Sequence, residues 1–442
     1  MASGPGFFKL RNEIKQYPWG SPLWIPGLTG EENPEKKPFA ELWMGVHPLG
    51  PSRIENGGNG EFLSDYIEKN ETAAPGKSAG DTLPFLFKIL AAEKPLSIQV
   101  HPDAAQARAG WERENREGIE ADAPRRNYKD PSHKPEILCA LAPFTALCGF
   151  RDADESAELL GALSIRALEK PLRALRCPGS GGARLKSFLR ALFALGPVER
   201  EELGRAAREG FPLSAFSAPH TAPRSEAARQ AEFPKELAAK LAALYPADPG
   251  ILAPFYLRIL SLKPLEAIFL KAGIMHSYVE GFGVELMANS DNVLRGGLTQ
   301  KHVDIPELLK ILDFTPYTPA ILSPPDTEKR PLVFSYPLPE GTGFSLTLIR
   351  NNGPLPYPLE GPSILCVTEG SLLLRGKGNS LSLRPGESAF ISGTSGGLVL
   401  DGACTAFAAG AEGAVEAGGG KADGSAAKAG GAAKAGGNED TC

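Results

Sequence analysis

No run of apolar residues in this 442-residue chain approaches the ~18 that a membrane-spanning helix needs, so no transmembrane segment is expected. Its opening, MASGPGFFKLRNEIKQ, has no apolar core followed by a cleavage site, and no secretory leader is expected. Basic excess is missing too. A net charge of -5 offers no cationic stripe for nucleic acid, and an anionic ligand would need a local cluster of Lys and Arg. The six cysteines (Cys139, Cys148, Cys177, Cys366, Cys404 and Cys442) form no C-x-x-C pair. In a chain of this size they read as reduced, mostly buried thiols of a cytoplasmic protein. Histidine is scarce as well: six residues, none after His302, so each position is informative and the C-terminal region cannot build a His-based metal site.

What is abundant is punctuation. Forty prolines and fifty glycines favour many short strands and turns over long helices. Up to about residue 151, short apolar runs such as PFLFKILAA and PLSIQV alternate with turn-rich stretches such as GPSRIENGGNGEF; Trp111 to Arg126 is charged and reads as helix or loop. From Asp152 the period changes. Leu185, Phe188, Leu189, Leu192 and Phe193 recur at helical spacing, and residues 152–250 read as a helical block with loops near Pro178–Gly182 and Pro212–Pro223. Strand patterns return in FYLRILSL, EAIFLKAG and HSYVEGFGVELMA, followed by a short amphipathic helix, IPELLKILDF, with Pro306 near its start. After a proline-rich loop (Thr315 to Pro331) come FSLTLIR, SILCVTEG, SLLLRG and LSLRPGESAFISG; from residue 412 a Gly/Ala/Lys tail without apolar periodicity is expected to be disordered. This order predicts a mainly β protein: a first β-domain (1–151 and 251–320) carrying the helical insert 152–250, and a second over 321–411. Strands of this length suit double-sheet jelly rolls.

Three stretches carry polar residues that need a reason. In SIQVHPD, Ser97, Gln99 and His101 alternate with Ile98 and Val100, so a strand there puts the polar three on one face. A polar edge facing water would look like this; so would two ligand atoms presented to one metal. In NYKDPSHKPEILCAL, Lys134 and Glu136 share a strand face, ordinarily as a solvated pair. In FLKAGIMHSYVEGFGVELMANSDNVLRGGLTQKH, His276 follows a glycine turn, Glu285 sits between Val284 and Leu286, and Asp291 and Arg295 fall in a tight loop.

PLSIQVHPD, RNYKDPSHKPE and VELMANSDNVLRGGLTQKHVD, in this order, resemble the signature segments of the type I mannose-6-phosphate isomerases; QYPWGS and AELWMGVHPLGPS resemble that family as well. The match runs over roughly residues 7 to 320. It implies two cupin-type jelly rolls, one Zn²⁺ held by Gln99, His101, Glu136 and His276, and a catalytic Arg295. Two departures flank ligands: Ser132 stands where the family usually has Asn, and Lys271 where it usually has Pro. They bear on pocket shape and leave the ligands in place. Two imidazoles, a carboxylate and a carboxamide, without thiolate, suit Zn²⁺ and admit Mn, Fe or Co.

Aldose–ketose isomerisation through an enediol needs ring opening, a base for a carbon-bound proton, and an electrophile for the negative oxygen. The last role suits zinc supported by Arg295. Lys88, His133, Lys134 and Glu285 are candidates for the base, a lysine only if its pKa is lowered towards neutrality. The resemblance places His133 and Asp291 at ring opening and Lys88 at proton transfer. Arg295, Lys301 and Lys134 are candidate partners of a phosphate. Trp19, Glu41, Ser97 and Tyr278 are further pocket candidates, Trp19 and Glu41 being equally readable as a core aromatic and a buried carboxylate. The expected partner is a small sugar phosphate, with no nucleic acid, no membrane, and a monomeric chain. The competing readings are an Fe(II) cupin dioxygenase and a non-catalytic sugar-binding cupin.

Overall fold

The computed structural model describes residues 6–55, 60–70, 83–211, 226–376, 378–393 and 397–412. The expected loop at Pro212–Pro223 and the tail beyond Glu412 lie outside them. Eight strands precede the helical segment that begins at Ala153: β1 (Phe7–Arg11), β2 (Glu13–Lys15), β3 (Glu41–Gly45), β4 (Arg53–Ile54), β5 (Phe85–Ala92), β6 (Gln99–Val100), β7 (Glu136–Ala140) and β8 (Phe144–Phe150). β9 (Leu257–Leu262), β10 (Ala267–Leu270), β11 (His276–Ala288) and β12 (Leu294–Arg295) follow them. β13 (Leu332–Ser335), β14 (Phe344–Asn352), β15 (Leu355–Pro356), β16 (Ser363–Gly370), β17 (Leu372–Arg375), β18 (Ser380–Leu383), β19 (Ser388–Ile391), β20 (Val399–Asp401) and β21 (Ala403–Ala411) complete the set. The chain is mainly β.

A ten-stranded sheet runs β10-β7-β11-β5-β3-β2, with β6, β8, β9 and β12 attached through the first half of β11. A seven-stranded sheet runs β13-β14-β21-β16-β19-β1-β4, and a four-stranded one β15-β20-β17-β18. β1 pairs with β19 (Phe7↔Ile391) while β2 pairs with β3, so the short stretch Phe7–Lys15 joins both large sheets. Linear reading assigns this whole segment to one domain; its two strands are in fact shared.

β5 shows how the sheets are held. Every residue of FLFKILAA is buried, but the two faces differ. Phe85, Phe87, Ile89 and Ala91 pack with Phe344, Leu346, Phe390 and Phe407 of the second sheet in one core. The opposite face carries Leu86, Lys88, Leu90 and Ala92, and there the register sets Lys88 opposite Glu285 and Trp43. A charge on a strand buried on both sides must find partners, and this face is where they gather.

β11 carries the decisive irregularity. Its first half pairs with β6 and β8, its second with β5 and β7, and the register with β8 shifts between Tyr278 and Glu280. His276 and Glu285 are nine positions apart, so a regular strand would aim them at opposite faces. One bulge reverses the parity, and both face the same cavity.

Helices lie between β8 and β9, among them Ala153–Gly161, Glu169–Arg176, Gly181–Phe193 and Pro197–Arg208. The expected stripe Leu185, Phe188, Leu189, Leu192 and Phe193 is buried. Gly181 and Gly182, expected in a loop, form the first turn of that helix, because the Ser180 hydroxyl accepts from the Ala183 N–H (3.3 Å) as an N-cap. Gly204 lets its helix touch the turn after the helix Glu226–Leu244: a Cβ there would stand 1.6 Å from the Pro246 carbonyl oxygen. Trp111 to Arg126 divides into the end of the helix Ala104–Arg116, opened by an Asp103/Gln106 capping box, and a turn-rich loop. IPELLKI forms the expected helix (Ile305–Ile311), capped by Asp304. No helix of the described residues is long and apolar enough to cross a membrane.

Candidate metal centre

SIQVHPD alternates as its pattern requires. Ile98 and Val100 are fully buried in the core beneath the helices, while Gln99 lines a cavity. Gln99 is opposite His276 on one side and Arg295 on the other, and directly paired residues share a face. A two-residue strand thereby aligns side chains from three distant segments. Glu136 opens β7, and His101 follows β6.

The imidazoles are oriented by their far nitrogens. Nδ1 of His101 lies 2.8 Å from the Asn292 carbonyl and Nδ1 of His276 lies 2.9 Å from the Ile274 carbonyl. A carbonyl only accepts, so each Nδ1 donates and each neutral ring turns its Nε2 lone pair inward. Those Nε2 atoms sit 3.4 and 3.7 Å from Glu136 Oε2, and Lys134 Nζ lies 3.1 Å from Glu136 Oε1. The pair anticipated as solvated is buried. Burial lowers the pKa of both histidines, His276 to about 4, with the neighbouring imidazole adding to the effect there. Burial pushes Glu136 up, but Lys134 and the two imidazoles outweigh it and hold the carboxyl well below its ordinary value.

These residues fit a metal ion. The ligand atoms of His101, Glu136 and His276 all lie within 4.8 Å of one another. His101 Nε2 is buried with no hydrogen-bond partner, a costly arrangement unless something accepts its lone pair. Gln99 donates its amide N–H to the Ser97 hydroxyl (3.2 Å), which leaves its carbonyl oxygen to face the cavity. A carboxylate, two imidazoles and a carboxamide are a zinc donor set.

Beside this cluster lies a second one. Lys88 Nζ is 2.9 Å from Glu285 and 3.4 Å from Glu41, and Glu41 also accepts from the Trp43 indole N–H (2.8 Å). Burial pulls the Lys88 pKa down, yet Glu285 and Glu41 overcome it and leave the pKa above the ordinary lysine value. The condition set for a lysine base, a pKa lowered towards neutrality, is therefore not met at Lys88, because two buried carboxylates hold its proton. Burial raises the Glu285 pKa; Lys88 opposes this, while Glu136 and Glu41 add to it. Burial, Glu285 and Glu136 likewise raise the Tyr278 phenol.

Glu41, Lys88, Ser97, Gln99, Lys134, Glu136, His276, Tyr278 and Glu285 line one cavity of about 70 Å³, with Leu90, Leu96 and Ser277. Six other candidates are outside that lining; one of them, His101, still reaches it through its Nε2, 3.4 Å from Glu136 Oε2. Trp19 stacks on Tyr17 (5.6 Å) and packs against the neighbouring core, the reading as a core aromatic. His133 is half-exposed in the loop before β7. Asp291 is half-buried, with Oδ2 3.5 Å from His47 Nε2; burial raises its pKa, but His47, Lys134 and Lys129 outweigh that and leave it lowered. Arg295 is half-buried, its pKa lowered by burial, and makes no side-chain hydrogen bond or ion pair with the described residues. Lys301 is exposed, its pKa lowered by partial burial and by Arg295 and Lys129. Arg295 and Lys129 are thus both close enough to Lys301 to act on its charge.

Sequence reading missed the residues that tie the segments together. Asn292 accepts from the Lys129 and Asp130 N–H groups and donates to the Ser132 carbonyl, besides holding His101. Asp130 in turn accepts from the Asp291 N–H and the Ser290 hydroxyl. Their only signal was position, both lying inside the motifs already quoted. His47, in AELWMGVHPLGPS, accepts from the Leu49 N–H at Nδ1 (3.3 Å), so its protonated Nε2 is the nitrogen that meets Asp291.

Residues 7–153 match the family model of the phosphomannose isomerase type I catalytic domain. The chain is 39% identical over 390 residues to a mannose-6-phosphate isomerase of Salmonella typhimurium, covering 87% of this chain and 94% of that one. It is 36% identical over 400 residues to the Escherichia coli mannose-6-phosphate isomerase (89% and 97%). Among solved structures it resembles a mannose 6-phosphate isomerase from Salmonella typhimurium bound to its substrate, fructose 6-phosphate, and zinc: TM-score 0.80, 35% identity, 92% of this chain and 99% of that one.

Proposed function

The chain belongs to the type I mannose-6-phosphate isomerase family, and on that premise we propose that Gln99, His101, Glu136 and His276 hold its zinc. It is a zinc-dependent aldose–ketose isomerase that interconverts mannose 6-phosphate and fructose 6-phosphate. The observation that carries the site assignment is the buried, unpartnered Nε2 of His101 turned towards Glu136 and His276. Neither a dioxygenase nor a non-catalytic binding protein accounts for relatives that are isomerases along nearly their whole length.

When bound, zinc supplies Lewis-acid polarisation of the sugar's carbonyl oxygen. The rest falls to the chain. Glu285, a buried carboxylate with a raised pKa, is suited to take the C2 proton of the open-chain aldose and return it to C1, while a proton passes from O2 to O1. Lys88 keeps its own proton, orients Glu285 and balances its charge. Lys134 and Arg295 stabilise the enediol's negative oxygen, a role for preorganised cations in a dry site. Arg295 and Lys301 at the rim hold the phosphate; Ser97, Glu41 and Tyr278 meet the sugar hydroxyls. Ring opening falls to Asp291 and His133, on two loops that Asn292 and Asp130 bind together. Trp19 is left with packing.

The same reading makes the ten-stranded sheet one cupin-type jelly roll and the seven- and four-stranded sheets, which share a core, the other, with 152–250 an insert in the first and 321–411 a second domain that packs without a metal. A monomeric, cytoplasmic enzyme accords with buried thiols at Cys139, Cys148, Cys366 and Cys404. The test is a coupled assay on purified protein: fructose 6-phosphate should appear from mannose 6-phosphate and cease on chelation. A folded, zinc-loaded sample without turnover overturns the proposal.

A further inference from the structure

We infer that Asp248, at the end of the helical segment, is a positioning residue for Arg295. The inference rests on the reading that Arg295 acts on the substrate. Asp248 lies far from Arg295 in sequence and outside every motif quoted above, yet its carboxylate is built into the loop that follows Arg295. Oδ1 accepts from the Gly250 N–H (2.7 Å) and Oδ2 from the Thr299 N–H (3.2 Å), with the Leu298 N–H a third donor.

The loop needs that carboxylate. Gly297 and Leu298 both have positive φ, +128° and 53°, and a non-glycine residue in this region is strained. Successive N–H groups turned in this way form a concavity that is stable around an anion, and Asp248 supplies the anion from the chain itself. The fit is close: a Cβ on Gly297 would stand 2.9 Å from Asp248 Oδ1. The loop is held on its other side by β6, where Ile98 accepts from the Gly296 N–H (2.8 Å) and donates to the Gly297 carbonyl (3.0 Å). Ile98 precedes Gln99, and Gln99 pairs with Arg295. Arg295 has no ion pair of its own among the described residues, so the backbone on either side of it must set its direction. Asp248 fixes one side. The helical segment thereby contributes to the site without entering it.

The test is a double-mutant cycle on the full-length, zinc-loaded enzyme, reading kcat, KM and zinc per chain. Asp248→Ala should lower kcat/KM by ~10- to 100-fold, the usual effect of removing a group that orients another in a site, with zinc content unchanged. In an Arg295→Ala background the same substitution should cost less than about threefold, because the side chain it positions is gone. Amide exchange should rise in the peptide spanning 296–301 and stay unchanged in β5. Should Asp248→Ala fail to fold, Asp248→Asn, which keeps the shape and one acceptor oxygen, carries the same cycle with a smaller loss. Additive losses, or an Asp248 variant with wild-type kcat/KM, overturn the inference while leaving Arg295 catalytic. Wild-type turnover by Arg295→Ala overturns the role of Arg295 and this inference with it.

Discussion

Replacing Lys88 by Met separates what the buried charges do for folding from what they do for catalysis. The side chains are of similar length, so packing is largely kept. Glu285 and Glu41, 2.9 and 3.4 Å from the lost ammonium and almost wholly buried, lose their partner. Removing one member of a buried ion pair costs about 3–5 kcal/mol, because the remaining charge has no water to turn to. Some of this is recovered if Glu285 protonates, and its pKa, already raised by burial and by Glu136 and Glu41, rises further without Lys88. A protonated Glu285 cannot lift a proton, so kcat at neutral pH should fall by at least ~10²-fold, the scale of a lost general base. A second substitution, Glu285→Gln, should restore roughly half of the stability and none of the activity. Denaturant melts of single and double variants, with parallel turnover assays, read both quantities. A Lys88→Met protein with wild-type midpoint and wild-type turnover would refute the reasoning, since no buried charge could then depend on Lys88.

Arg295→Ala should lower kcat by ~10²–10³ with zinc per chain unchanged, as expected for one donor to a developing negative oxygen, and steady-state kinetics with metal analysis will show whether it does. His276→Ala and Gln99→Leu should both purify with less than one zinc per chain and regain little activity on zinc addition, measured by elemental analysis and assay. Metal-free protein should lose stability between pH 6.5 and 4. An unfolded imidazole titrates near 6.5 and the folded His276 near 4, so in that window the unfolded chain takes up a proton that the folded one refuses. The loss is on the order of 3 kcal/mol for that residue, and thermal melts across the range that stay flat or rise would contradict it.

How much of this was legible beforehand depends on the range of the information. Alternation in SIQVHPD put Gln99 on the face away from Ile98 and Val100, because period-two patterning is local to one strand. The ion partner of Lys134 could be guessed, but not its burial, which depends on β7 lying between β10 and β11 in the sheet. Strand patterning could not show the shared cavity of His276 and Glu285, which came only from the motif resemblance, since parity between them turns on a bulge at Tyr278/Glu280 that the residues do not announce. Lys88 illustrates the same limit in electrostatics. Its strand reads as plain apolar sequence, and the sign of its pKa shift is set by Glu41 and Glu285, 47 and 197 positions away. Long-range pairing also explains β1, whose partner β19 lies at the far end of the chain.

The account turns on four side chains from three distant segments meeting at one zinc beside the Lys88–Glu285 pair. Anomalous diffraction at the zinc edge, from crystals of the zinc-loaded protein, tests this directly. It should give one strong peak per chain within about 2.0–2.3 Å of Gln99 Oε1, His101 Nε2, a Glu136 carboxylate oxygen and His276 Nε2. A peak elsewhere, or none at this cluster in a zinc-loaded and active sample, would contradict the account.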